Sequence, residues 1–551
     1  MNTSRFAPIR PLAASIALGL SLSGSVRADL LPSGTEVQAN TTVLASQWRP
    51  AITQLEGGNI VVAWQDDSGA IKFRIFDGNL AAITGELPVD EAPLVSNIND
   101  APKISALAGG DFIVVWQAYI NMTSVFDVYA RRFDGSGNAV GGEFRVNVLT
   151  DEGQGRPCVA QFGDGTIFIA WEHDNGPHTD VVYRIFEEDL DPISSEVVAS
   201  QETVRDQFRS SVVTLSDGNL ALVWDSEPPV FSPGNPRDCW IRLFSPSGPM
   251  GDEVRVNTEQ DAAQIWTSVA PLPEGGAVAV WWSQDQDGDD GGIFGQRFVR
   301  NAGLGRLEPM GDEFLVNTFT AEDQVEPEVT SWADGFLVTW TSENKLRNNG
   351  DGDRPTGEDG DGAGVYGRAF GVDGIASGGS VRVNLTTANH QYGGVPVALS
   401  GEKIVVAWSS TTDGEDYFDG FENPDNYDEV FLRTLEEMAP VPTTARMSVS
   451  PPAAAIFRVK NGRSVPSKKT FQIINSGTGN LSWRIEGAPR WLKITPGSGN
   501  LGSGLSAKIS VRLNPRALPK RPRIQTSLPF QALAGAEGST TRRITVVNSR
   551  K

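Results

Sequence analysis

Residues 107–133 read LAGGDFIVVWQAYINMTSVFDVYARRF: a Gly-Gly turn, an apolar run ending at Trp116, a polar stretch, and a second run into Phe133. Short runs rich in Val, Ile, Phe and Tyr, separated by turn residues, predict strands in a hairpin-like unit. The phrase occurs seven times, and each first run is expected to end in tryptophan: Trp64, Trp116, Trp171, Trp224, Trp282, Trp340 and Trp408, with successive gaps of 52, 55, 53, 58, 58 and 68 residues. A strand-built repeat near this period predicts a radial propeller.

Aligning the units predicts four strands in each. The first follows a Gln-x-x-Pro-like step, as in Gln47 to Pro50 and Gln154 to Pro157. A glycine turn leads to the tryptophan strand, because a tight hairpin needs a residue that tolerates positive φ. The third strand ends in Arg plus an aromatic or apolar residue, as in Arg74-Ile75-Phe76 and Arg132-Phe133. The fourth reads like Glu143-Phe144-Arg145-Val146-Asn147. The seventh unit lacks a fourth strand, whereas a spare one, Glu36-Val37-Gln38-Ala39-Asn40, precedes the first unit. Pairing the two closes the ring and leaves no open edge. The expected fold is all-β: a seven-bladed propeller with its last blade completed by the N-terminal strand.

Strand order places the long, variable second-to-third loops on one face, together with the inter-blade loops. Functional loops are usually carried by a rigid scaffold in this way. Three of these loops are acidic. Asp285, Asp287 and Asp289 alternate with Gln and Gly in the fifth unit. Asp351, Asp353, Asp359 and Asp361 do so in the sixth, and Asp413, Glu415, Asp416 and Asp419 cluster in the seventh. Calcium takes six to eight oxygens, and such spacing supplies several from one loop. The alternative is a solvated acidic loop, and none carries the full EF-hand pattern. Four aromatics near the first-strand step break the repeat: Trp48, Phe208, Trp266 and Tyr392. They are candidate ligand-stacking residues near the channel mouth, against packing under neighbouring loops as the alternative. The third-strand arginines and core tryptophans recur in every unit, so they read as frame.

Charge divides the chain. Residues 445–551 hold 19 Lys and Arg against two acidic residues, +17, leaving −39 on the rest of a chain whose net charge is −22. Two domains with different surfaces are expected: a propeller over 29–437, a Pro-containing linker over 438–444, and a basic β-sandwich over 445–551. Arg5 and Arg10, an apolar run over 12–22 and Val26-Arg27-Ala28 predict a signal peptide over 1–28. That implies a secreted, periplasmic or cell-surface location. No segment is apolar enough to span a bilayer. Cys158 and Cys239 fall on different repeat positions and are expected to be unpaired.

The phrase over 109–147 resembles repeats of exported bacterial proteins of the repeats-in-toxin and adhesin type, over roughly residues 35–437. The resemblance implies a propeller and an extracellular setting. Phe471 to Gly477, Leu481-Ser482-Trp483 and residues 491–499 resemble the BACON-type immunoglobulin-like module of bacterial surface proteins. That resemblance implies a link to carbohydrate or mucin, with Trp483 and Trp491 expected in the core.

Only three histidines are present, and neither a local catalytic triad nor a phosphate loop is found. No catalytic residues are assigned. The expectation is a non-enzymatic binding, adhesion or scaffold protein, using the long-loop face and calcium-stabilised loops. Its partners would be a glycan or cell-surface protein and, through the basic domain, an anionic envelope polymer; nucleic acid is not expected. The alternative is a secreted hydrolase or lyase acting on polysaccharide, with carboxylates on the same face.

Overall fold

The computed structural model describes residues 30–548 except 44–45, 92–97, 120–124, 151, 203, 229–236, 261, 333–334, 344–357, 359–361, 401–402, 412–427, 438–444, 446, 451–454, 461–462, 466, 476–478, 503–504, 520, 522 and 534–538. The signal-peptide region and the acidic stretches of the sixth and seventh units lie outside them. The chain divides into two compact units, Arg27–Met438 and Ala439–Lys551. Among the described residues no helix is long and apolar enough to cross a membrane.

The first unit contains seven antiparallel sheets, each with a four-strand path, among the described residues. The first strands run Gln47–Gln54, Ile98–Ala106, Gln154–Gln161, Asp206–Thr214, Gln264–Leu272, Asp323–Trp332 and Gln391–Ala398. Each abuts the first strand of the next sheet, and the seventh returns to the first. This is the propeller ring. Its closure is the one expected: Leu30–Gln38 pairs antiparallel with Asp428–Glu437, with Val37 opposite Leu432.

The tryptophan strands are continuously apolar because neighbouring blades cover both their faces. Every residue of Ile60–Asp66 is buried. The apolar clusters lie between blades: Val61, Ala63 and Phe73 of the first pack on Phe112, Val114 and Trp116 of the second. Within a blade, the indole of Trp64 donates to Gln47 Oε1 at 2.6 Å and that of Trp171 to Gln154 Oε1 at 2.7 Å. In the fifth blade the indole bonded to Gln264 is that of Trp281, also at 2.7 Å, and Trp281 is fully buried. The frame tryptophan is therefore Trp281 and not Trp282, whose half-buried ring meets Trp266 edge to face at 5.8 Å.

Between blades, third-strand arginines reach back to the preceding blade. Arg74 donates to the Ala39 carbonyl at 3.0 Å, Arg184 to Val146 at 2.7 Å and Arg368 to Val316 at 2.8 Å. In the second blade this role falls to Arg131, bonded to Val89 at 2.8 Å, rather than to Arg132. The fourth-strand glutamates add a second staple: Glu36 accepts from Leu385 N–H and Glu196 from Val148 N–H, both at 2.5 Å. The acceptor asparagines end the set, with Asn40 Oδ1 holding Val430 N–H at 3.0 Å. These repeated polar residues satisfy backbone that would otherwise be orphaned between sheets.

The second unit is a sandwich of a four-stranded and a six-stranded sheet. Its core includes Phe457, Phe471, Trp483, Trp491 and Phe530, with Trp483 and Trp491 buried as expected.

Candidate functional site

All seven first strands carry a register shift two to three residues after their opening Gln or Asn. The shift is a bulge, which re-aims a side chain. The bulged residues are Arg49, Ala101, Arg156, Arg209, Trp266, Glu326 and Gly393, with φ of 54, 52, 46, 51, 57, 53 and 65°. Six are not glycine, and the left-handed region costs an L-residue roughly 1–2 kcal/mol. The surrounding frame holds them there. Arg156 N–H donates to Gln117 Oε1 at 2.7 Å, Arg209 N–H to Glu172 Oε1 at 2.7 Å and Trp266 N–H to Asp225 Oδ2 at 2.8 Å. Each acceptor is the residue after the core tryptophan of the preceding blade, so the interlocked frame sets the bulge of its neighbour.

All seven bulged residues line one pocket of about 460 Å³ at the channel mouth, together with Glu343 and Ala363. Small-ligand sites range over about 300–1,000 Å³. Below the ring, Lys103 Nζ approaches Glu328 Oε1 at 3.8 Å from across the channel, and Ser268 Oγ donates to Glu328 Oε2 at 2.8 Å.

The pocket wall is divided by charge. Arg156 lies 3.5 Å from Glu172, and Arg209 lies 3.5 Å from the buried Asp225. Each arginine is part-exposed, and one nitrogen of its fork is taken by the carboxylate beside it. The Arg209 guanidinium stands 6.0 Å from the centroid of Trp266. Arg49 pairs with Asp100. On the blade after Trp266, Glu326 is exposed to the pocket, and the surrounding protein pushes its carboxyl above the usual range against the pull of Arg49. Tyr392 also lines the pocket; burial drives the pKa of Asp428 up to about 6, with the Tyr392 hydroxyl pulling the other way.

Of the four expected aromatics, Trp266 and Tyr392 line this pocket; Trp48 and Phe208 are half-buried beside the bulge and are not among its lining residues. The arginines and Glu326 were not anticipated. The available signal was the second residue after each opening Gln, where the repeat changes both charge and size.

In the fifth-blade loop, Asp287 Oδ2 accepts from Asn317 at 3.0 Å and Asp289 Oδ2 from Glu322 N–H at 3.3 Å. Burial raises the Asp287 carboxyl above its usual range. Asp285 begins the turn with φ of 60°. Among the described residues no group of three His, Cys, Asp or Glu is placed to hold a metal. Asp351, Asp353, Asp359 and Asp361 lie outside the described residues. Cys158 and Cys239 are buried and free, and burial pushes the Cys158 thiol up to about 11.

Against known proteins, residues 447–534 match the family model described as the viral BACON domain. The C-terminal unit carries a BACON-type domain. The BACON match lies within the two-sheet sandwich and leaves the propeller unassigned. A search of curated proteins finds no match. Among solved structures, a protein of unknown function from Dyadobacter fermentans aligns at 12% identity and TM-score 0.42, covering 74% of this chain and 100% of that one. The polysaccharide lyase Uly1 aligns at 10% identity and TM-score 0.43, over 75% and 98% of the two chains. An α-L-arabinanase of Penicillium chrysogenum aligns at 11% and 0.40, over 72% and 98%. At TM-scores below 0.5 these likenesses carry no weight for activity; the propeller rests on its own strand pairing, and the site on its own geometry.

Proposed function

We propose that the chain is an exported glycan-binding protein whose ligand sits at the channel mouth of the propeller. One observation supports this above others. Seven repeats that agree in frame carry Arg, Ala, Arg, Arg, Trp, Glu and Gly at the position that points into the pocket. The bulge recurs in every blade, but the side chain it presents does not, and left-handed non-glycine residues cluster at functional sites. Half-exposed Trp266 offers a stacking face, and arginines and carboxylates suit ring substituents and hydroxyls. In this reading the BACON-type domain belongs to the same carbohydrate setting, and its basic surface docks an anionic envelope polymer.

Turnover of a polysaccharide is the second reading. It is favoured by Glu326, a carboxyl raised by confinement and sharing the pocket with Tyr392 and His390. Raised carboxyls are suited to proton transfer near neutral pH. A glycan array with and without chelator, run beside a hydrolase and lyase screen on the same glycans, separates the readings. Binding without turnover supports the first; any turnover that Glu326→Gln abolishes supports the second. An array with no binder defeats both.

A further inference from the structure

Three consecutive blades place Arg156, Arg209 and Trp266 side by side on the ring. Arg156 and Arg209 are each anchored by one acidic side chain, Glu172 and Asp225 respectively, at 3.5 Å. A guanidinium has five donors in a planar fork, so one such contact leaves others for a second planar anion. The side chains are 52% and 29% exposed, and both residues line the pocket. The Arg209 guanidinium lies over the half-exposed Trp266 ring at 6.0 Å from its centroid, so cation and indole form one mixed surface in the pocket. Glu326, on the blade that follows Trp266, adds a hydroxyl acceptor to the same pocket. Ala101 and Gly393 leave two gaps in the ring for a ligand to enter.

We infer that the pocket takes an acidic sugar: a pyranose stacked on Trp266, its anionic group held by Arg156 and Arg209, its hydroxyls on Glu326. This deepens the glycan reading and rests on it. The basic wall belongs to a propeller whose sequence is strongly acidic overall, so it is a local recognition feature and not part of a cationic field. A zwitterionic peptide end would use the arginines and Glu326 but would leave the indole face without a ring to match.

The test is isothermal titration of the full-length protein with four probes: a homo-oligouronide, the same oligomer with its carboxyls reduced to alcohols, a sulfated neutral oligosaccharide, and a zwitterionic tripeptide. The expected result is binding of the uronide and a loss of at least about tenfold on carboxyl reduction, the scale of a charge-assisted bond. Arg156→Gly and Trp266→Gly are each expected to weaken it by a similar factor. Glycine fits the left-handed bulge, as Gly393 does in the seventh blade, so both variants keep the fold, and an unchanged circular dichroism melt checks this. Equal binding of the uronide and its reduced form overturns the acidic-sugar inference and leaves the glycan reading standing. Binding confined to the tripeptide overturns both. Binding of the sulfated probe alone replaces carboxylate by sulfate as the anion. Uronide binding unchanged in both variants moves the ligand off this pocket and overturns the inference.

Discussion

Lys103 Nζ and Glu328 Oε1 stand 3.8 Å apart although 225 positions separate them, one on the second blade and one on the sixth. They meet only because the ring is closed, and they form part of the floor of the candidate site. Both side chains are part-exposed, at 50% and 30%, so the pair itself adds little stability. Glu328→Gln is expected to change the unfolding free energy by less than about 1 kcal/mol. Chemical denaturation of the two proteins checks this, and a larger loss would mean that the pair clamps the ring.

The frame tryptophan of the fifth blade gives a sharper contrast. Trp281 is fully buried and bonded to Gln264, while Trp282 is half-buried. Trp281→Ala is expected to destabilise by about 3–5 kcal/mol, the usual range for a large aromatic removed from a core. Trp282→Ala should cost clearly less. Gln264→Ala leaves a buried indole N–H without its acceptor and should cost about 1–3 kcal/mol. Urea melts of the three variants rank them directly.

Closure by the N-terminal strand predicts the effect of its removal. Deleting residues 29–40 exposes the edge of Asp428–Glu437 and removes Glu36 from the backbone of Leu385. An unpaired edge is a template for association. The truncated protein should melt earlier and elute as oligomers in size-exclusion chromatography, whereas Glu36→Gln should remain monodisperse with a modestly lower melting temperature.

Two carboxyls set opposite pH dependences. Asp428 is pushed to about 6, chiefly by burial, with the Tyr392 hydroxyl pulling the other way. Its folded pKa lies above the unfolded one, so the native state binds the extra proton between about pH 4 and 6 and stability falls as pH rises through that window. Asp428→Asn should therefore stabilise the protein at pH 7.5, by on the order of 2 kcal/mol, and leave it unchanged near pH 3.5. Glu86 behaves in the reverse sense. Partial burial opposes its charge, but hydrogen bonds from Thr41 and Thr42 outweigh that and lower its pKa to about 2. Its contribution is complete above about pH 4.5 and is lost as pH falls toward 2. Glu86→Gln should lower the melting temperature at pH 6 and have little effect at pH 2. Melting curves across pH for both variants test the signs.

Local pattern was sufficient wherever one strand reports its own environment. Runs such as Ile60-Val61-Val62-Ala63-Trp64 announce strands covered on both faces, and Glu36 to Asn40 announces a fourth strand without a blade. Repetition turned those signals into a closed propeller. The same logic fails for neighbours of one type. Trp281 and Trp282, or Arg131 and Arg132, cannot be told apart by spacing, because a shift of one residue turns a side chain to the opposite face. Only the paired register shows which of them meets the core.

The sequence alone thus determined the repeat, its closure, the separate basic sandwich, and the face that carries the long loops, since each is written in periodicity or charge along one stretch. Tertiary structure decided what faces the channel. A bulge at left-handed φ turns Arg156, Arg209 and Trp266 inward, and it is held by the residue after the tryptophan of a different blade. No strand encodes that direction by itself. It arises from contacts between neighbouring blades that join residues 37 to 41 positions apart, and so the pocket wall becomes legible only when the ring is assembled.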